Sequence, residues 1–243
     1  MKPSTAIRFL LIGLAVIAIL GPNQAVVTTV TAKAPPEPVC GVCTGQIEEA
    51  AAARGVVLER GASTMHIRLW PNGTAEFLAR VELTRGSDRL GNVSLRETIV
   101  RDVSYTLVEE REDLRTALVD GTLRVRYTSS DVAHSTLGVL QFDAFHTRDP
   151  PPFALGGEGS PYPGADELTL RAPPGFELHG IHGDFSNETT IRWRGESHEQ
   201  YAGHIEEDLT LSFVPEPARF PTIRVGVATV VDRARSLISW VGS

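Results

Sequence analysis

Cys40-Gly-Val-Cys43 holds the only two cysteines of a 243-residue chain. Two thiols at this spacing can close on each other, exchange disulfides with a substrate, or supply half of a metal site. In an oxidising compartment they pair most simply with each other. So short a closed loop contributes only about 2 kcal/mol of chain-entropy stabilisation. Such a bridge shapes a junction and does not staple a domain. The redox alternative draws on Cys43, which abuts the start of an expected helix, a position that lowers a thiol pKa. A thioredoxin-like pair, however, follows a strand in a βαβ pattern, and here a proline-punctuated stretch precedes it. A zinc site would lack its second half. Cys40 and Cys43 are therefore expected to form a local structural disulfide, with a redox or metal role as the alternative.

His179-Gly-Ile-His182-Gly-Asp184 is the other metal-like cluster, with His198 and His204 further along the chain. Residues three apart on an extended strand face opposite sides, and two glycines argue against the helical turn that would bring the histidines together. His182 and Asp184 can share a face, which makes them a weak two-ligand fragment; the plainer reading is a solvated loop. Asp143 and His146, at the end of an apolar strand, are weighed the same way. No G-x-S-x-G elbow and no glycine-rich phosphate loop occurs. The paired acids Glu109-Glu110 and Glu206-Glu207 read as solvated faces. No cofactor is expected. Three N-x-[ST] sequons, at Asn72, Asn92 and Asn187, each fall in an expected turn or loop, where glycosylation of an exported chain is plausible.

These residues must be positioned by elements that the hydropathy pattern outlines. Phe9 to Leu20 is an unbroken apolar run behind Lys2 and Arg8. It is shorter than the roughly 20 residues a bilayer core needs, so residues 1–25 read as a secretory signal. An uncleaved anchor spanning Ala6 to Val27 is the alternative. Residues 26–39 read as a tether, and residues 40–243 as one exported domain. Thr44 is placed to cap a short helix that Gly55 ends. Met65, Ile67 and Leu69, then Ala75, Phe77, Ala79, Val81 and Leu83, alternate with polar residues around Pro71-Asn72-Gly73, the mark of a hairpin with one wet face. Ser94-Leu-Arg-Glu97 has capping-box form and predicts a helix over 95–105.

A second hairpin is expected across Asp120-Gly121, with further strands at Leu140–Ala144, Leu168–Leu170, Phe176–Leu178, Ile191–Trp193 and Leu209–Phe213. Residues 149–164 form a long loop. Each strand alternates apolar and polar, which predicts antiparallel sheets packed on one face. The fold class is thus mainly β (α+β), an antiparallel β-sandwich-like domain with two or three short packed helices. Over residues 221–241 strand and helix periods compete. The 3-4 spacing of Ile223, Val227, Val230, Ala234, Leu237 and Val241 favours an amphipathic helix packed on the sheet. Arg224, Asp232, Arg233 and Arg235 make it an unlikely membrane span.

Both lysines, Lys2 and Lys33, lie with Arg8 in the first 34 residues. Without those three cations the chain keeps 20 arginines against all 30 acids, a net charge of −10. That balance disfavours nucleic acid and anionic membrane surfaces as partners, since both select a basic footprint. It suits an exported protein in high salt, where charge is screened within a few ångströms. From PPEPVCGVC through the helix and the hairpin with its Asn-Gly turn, over Cys40 to His146, the chain resembles a group of uncharacterised exported proteins of halophilic archaea with an N-terminal CGxC segment. The resemblance implies a high-salt envelope setting and assigns no activity to any residue. The expected function is an exported, cell-surface or membrane-tethered interaction or structural module at the outer face of the cytoplasmic membrane. Other envelope proteins or glycans are its expected partners, with the membrane reached through the N-terminal segment if that segment is retained. The alternatives are a thiol-redox or metal-binding exported protein, and an exported hydrolase drawing on Asp143, Asp184 or the 149–164 loop.

Overall fold

The computed structural model describes residues 37–103, 111–146, 161–195, 205–206, 209–217 and 221–241, the side chains of 233–241 excepted. The leader, residues 26–36 of the expected tether, Glu109-Glu110, most of the long loop, His198, His204 and Glu207 lie outside the described residues. In chain order the elements begin with β1 (Glu37–Pro38), a 3₁₀ turn Gly41–Cys43, α1 (Gln46–Ala52), β2 (Glu59–Leu69), β3 (Ala75–Arg85), a 3₁₀ turn Ser87–Gly91 and α2 (Val93–Asp102). Next come β4 (Glu112–Val119), β5 (Thr122–Ser129), β6 (Ala133–Thr136), β7 (Val139–Phe142), β8 (Pro161–Tyr162) and β9 (Glu167–Arg171). The chain then forms β10 (Phe176–His179), β11 (Phe185–Ser186), β12 (Thr190–Arg194), β13 (Leu211–Pro215) and α3 (Pro221–Val241).

Seven strands form the large sheet, in the order β11-β12-β9-β2-β3-β5-β4, and four form a smaller one, β10-β13-β7-β6. The inner faces share one apolar core, so the expected mainly β, sandwich-like α+β fold is observed. Phe77 and Tyr127, opposite each other on β3 and β5, stack with centroids 4.8 Å apart. Phe145 bridges the sheets, meeting Phe142 of β7 edge-on at 4.9 Å and Trp193 of β12 at 5.9 Å. Helices α1 and α2 add Ile47, Ala51, Ile99 and Val100 to the same core and are joined by the Arg54–Asp102 ion pair. Arg96 of α2, itself buried, donates to Leu90 O (2.8 Å) and to Thr116 Oγ1 on β4 (3.0 Å). That anchors the helix to the sheet edge.

Several expectations are corrected. The ladders are mostly antiparallel, but β2 pairs with β9 in parallel, Met65 opposite Leu168, and β1 pairs with β8 in parallel. The long connection between β2 and β9 permits this, since parallel neighbours need a crossover and not a tight turn. Glu37–Val39, the end of the expected tether, belong to the folded body: β1 is paired and Val39 is buried. The cap of α2 is Asn92 and not Ser94, because Asn92 Oδ1 accepts the Leu95 N–H at 3.2 Å. Thr44 sits one residue outside the cap of α1; its hydroxyl donates to Gly41 O and accepts from Gln46 N–H. Strand β7 stops at Phe142, and Ala144 lies in a turn that sends Phe145 inward.

The smaller sheet is buried on both faces. Leu140, Phe142, Leu211 and Phe213 face the core, whereas Val139, Gln141, Ser212 and Val214 face the other way and are buried too. The expected helix at 221–241 forms and covers that second face, touching all four strands. Its rotation differs from expectation. Ala228 is fully buried against the sheet, while Ile223, Val227 and Val230 are 64%, 47% and 67% exposed. The face beneath α3 is mixed, with Thr136, Gln141 and Ser212 beside Val139 and Val214, and Asp232 of the helix reaches His134 of β6. With that contact and the small Ala228 turned to the sheet, Ile223, Val227 and Val230 turn outward.

Candidate functional site

Cys40 and Cys43 are bonded to each other, and both are fully buried. The bridge closes a corner rather than lining a cleft. Val39 N–H donates to Tyr162 O and Cys40 N–H to Pro163 O, which binds the cysteine segment to β8 and the residues after it. Arg60 Nη1 donates to Cys43 O at 2.6 Å, and Glu48 Oε1 accepts the Arg60 N–H at 2.9 Å, so the start of β2 clamps the corner to α1. The sequence placed Cys43 at a helix N-terminus. It lies instead in the 3₁₀ turn, with Gly45 as the cap of α1. A disulfide-exchange site needs an accessible sulfur, and neither sulfur is accessible in this fold.

Beside the corner lies a polar cleft of about 400 Å³ lined by Thr44, Arg60, Tyr162 and Asp166. Arg60 stands at an irregularity in β2, where the β2–β3 register shifts between Arg60 and Ser63. Such bulges re-aim side chains. Here the shift turns the Ser63 backbone toward Asp166: Ser63 N–H donates to Asp166 Oδ2 at 2.7 Å, and Asp166 N–H returns a bond to Ser63 Oγ at 3.2 Å. Both groups are thereby occupied in holding β2 to the start of β9. No sequence motif pointed to this pair.

His182 and Asp184 line a second cleft, of about 260 Å³, together with Ile181, Trp193, Glu206 and Leu209. The sharp turn before them depends on Gly180, whose φ is +102° and whose missing side chain leaves room for the His182 ring. Asp184 Oδ2 accepts the Arg194 N–H at 2.6 Å, which pins the loop to β12. His179 lies in β10, on the smaller sheet, and does not join them in this cleft. Among the described residues no three His, Cys, Asp or Glu side chains are placed to hold a metal ion. The cleft offers an exposed Ile181 and a buried indole beside polar rims, a surface suited to contact.

Asp143 and His146 take separate partners. Asp143 Oδ2 faces His134 Nδ1 at 3.7 Å, and His134 Nε2 meets Asp232 at 3.1 Å, so one imidazole lies between two carboxylates beneath α3. His146 Nε2 contacts Thr210 Oγ1 at 3.0 Å. No described carboxylate completes that hydroxyl–imidazole pair into a relay. The sequon residues Asn72, Asn92 and Asn187 are all exposed. Each uses its side-chain oxygen to close a local turn or cap, Asn72 on Thr74 N–H, Asn92 on Leu95 N–H, and Asn187 on Thr190 N–H.

No family model matches the chain, and no curated protein matches it. Among solved structures, the NMR structure of the folded domain of the LppM protein of Mycobacterium tuberculosis aligns with a TM-score of 0.27 and 13% identity, over 66% of this chain and 91% of that one. An overlap this loose transfers neither a residue nor a role.

Proposed function

We propose that the chain is an exported β-sandwich module that works by binding other envelope components, held at or near the outer face of the cytoplasmic membrane. The observation that carries this reading is the buried Cys40–Cys43 bridge, which is part of the folded body rather than an appendage. A disulfide built into a core forms and persists in an oxidising compartment, and the apolar run Phe9–Leu20 supplies the route there. Arg60 and Asp166 in the first cleft and Asp184 in the second are committed to backbone partners, which suits a binding scaffold. The lysine-poor, acidic composition and the resemblance to exported halophile proteins support a salty setting for it.

An intact-mass measurement on native protein from membrane and supernatant fractions, with and without reductant, tests the reading. A chain lacking its leader or retained in the membrane fraction, and gaining two hydrogens only after reduction under unfolding conditions, is the expected result. Added mass at Asn72, Asn92 or Asn187 would show glycan. Recovery from the cytosol of a full-length, unmodified chain with two free thiols would overturn the proposal.

A further inference from the structure

The outer face of the seven-stranded sheet carries a charge that the composition conceals. Side chains on it sit at the outward parity of each strand, and the strand register places arginines directly opposite one another. Arg80 of β3 faces Arg124 of β5, Arg126 of β5 faces Arg115 of β4, and Arg68 of β2 faces Arg171 of β9. Arg192 and Arg194 of β12 extend the face toward the β11 edge. Like charges directly opposite on neighbouring strands are destabilising, yet this sheet repeats the arrangement three times.

Acids on the face do not cancel it. Glu76 holds Arg126 at 2.7 Å and Glu167 lies 3.5 Å from Arg192. By the same register Arg68 also faces Glu76 and Arg194 faces Glu167, whereas Arg80, Arg115, Arg124 and Arg171 form no ion pair among the described residues. The face is thus a cationic patch on a chain whose net charge is −7. His66, half-buried at its centre, reports the same field: its pKa is held below the usual value by burial and then by Arg80, Arg171 and Arg192. Between the arginine rows lie Thr64, His66, Leu78 and Thr169.

We propose that this face is a binding site for an acidic polysaccharide, whose carboxylate or sulfate groups seat between the facing arginines. This rests on the reading of the chain as an exported binding module and names its ligand class. Guanidinium forks match carboxylate and sulfate geometry and stay charged at any working pH. An anion between two opposed guanidinium groups removes the repulsion that the empty face bears. A bilayer fits less well, because glutamates are scattered through the face and its exposed apolar residues, Phe185 and Val119, lie at opposite edges on β11 and β4. A nucleic-acid strand would want a row of exposed aromatics for stacking. Here Arg192 covers the Phe185 ring and Arg68 covers Trp70.

The full chain in non-ionic detergent is titrated with polygalacturonate and with heparin, with neutral dextran as control and with phosphatidylglycerol vesicles and a single-stranded oligonucleotide as competing polyanions. Saturable binding to polygalacturonate or heparin and none to dextran is expected. Arg80→Gln with Arg124→Gln should weaken it by about tenfold or more, and Arg171→Gln should weaken it further. Arg89→Gln with Arg101→Gln removes equal charge from the 3₁₀ turn and helix preceding β4 and should leave affinity unchanged. A thermal midpoint for the Arg80/Arg124 variant at or above wild type shows that it folds. The proposal is overturned by absence of polysaccharide binding, by equal losses in the Arg89/Arg101 variant, or by vesicles or oligonucleotide binding at least as tightly. Cytosolic recovery in the mass experiment sinks the export reading separately, whatever the titration shows.

Discussion

Asp166 joins two strands whose meeting point is 103 residues away in sequence, through one carboxylate oxygen on the Ser63 amide. Ser63 is 1% exposed, so its N–H has no access to water if that acceptor is removed. An unsatisfied buried donor costs about 2 kcal/mol. Asp166→Ala should lower the unfolding free energy by that amount, read as a lower urea midpoint at unchanged m-value, while Asp166→Asn, which keeps an acceptor, should cost about half as much. Identical midpoints for all three proteins would show that the bond contributes nothing. The pair was invisible in the sequence because nothing local marks it: it is a product of the β2 irregularity meeting β9. The cysteines were legible because three-residue spacing fixes their reach; His182 and Asp184 share a cleft through a loop with a left-handed Gly183, not through strand parity. The commitment of Asp184 to the Arg194 amide was not legible, since it depends on where β12 lies.

Helix α3 shows how far periodicity carries at the scale of an element. Its 3-4 apolar spacing identified a helix against the competing strand pattern, but the same stripe was expected to face the sheet. Over its described part burial goes the other way: Ile223, Val227 and Val230 are exposed, the sheet face beneath carries Thr136, Gln141 and Ser212 beside its valines, and Asp232 meets His134. The orientation has a direct consequence for substitution. Val230→Glu, on the exposed stripe, should change stability by less than about 0.5 kcal/mol. Ala228→Leu, forced into a packed contact, should cost about 2 kcal/mol by overpacking. Chemical denaturation of the two variants checks this, and the reverse ranking would mean that the stripe packs inward. The same limit shows at α2, where Ser94 was expected to begin the helix and Asn92, two residues earlier, caps it instead. At β7 a polar residue on the second face read as solvated, when a helix from far along the chain covers it. Local pattern names an element and its parity; what lies on each face is decided by elements distant in sequence.

At the scale of the whole molecule the charge is segregated. The chain carries 30 acids against 23 basic residues, which reads as a uniformly acidic surface, yet the outer sheet face opposes arginine to arginine across three strand pairs. The signal was present in Leu123-Arg-Val-Arg126 and Ile191-Arg-Trp-Arg194, where each arginine occupies the wet parity. Only the register shows that these arginines stand next to one another. Two repulsive systems therefore coexist, excess acid over the rest of the molecule and arginine pairs on the sheet. Opposed residues on adjacent strands lie within about 5.5 Å, whereas the screening length falls from about 10 Å at 0.1 M salt to about 3 Å at 1 M. Sodium chloride over that range should relieve both repulsions and raise the urea midpoint. Urea is the required denaturant because guanidinium is itself a salt. Arg80→Gln with Arg124→Gln removes one repulsive pair, so that variant should begin at a higher midpoint and gain less from salt. If attraction dominated instead, through pairs such as Arg126–Glu76 and Arg85–Glu59, the wild-type midpoint would fall as salt rose. That single sign distinguishes a sheet face strained by its own charge, and relieved by any counter-ion or polyanion that reaches it, from one already neutralised within the fold.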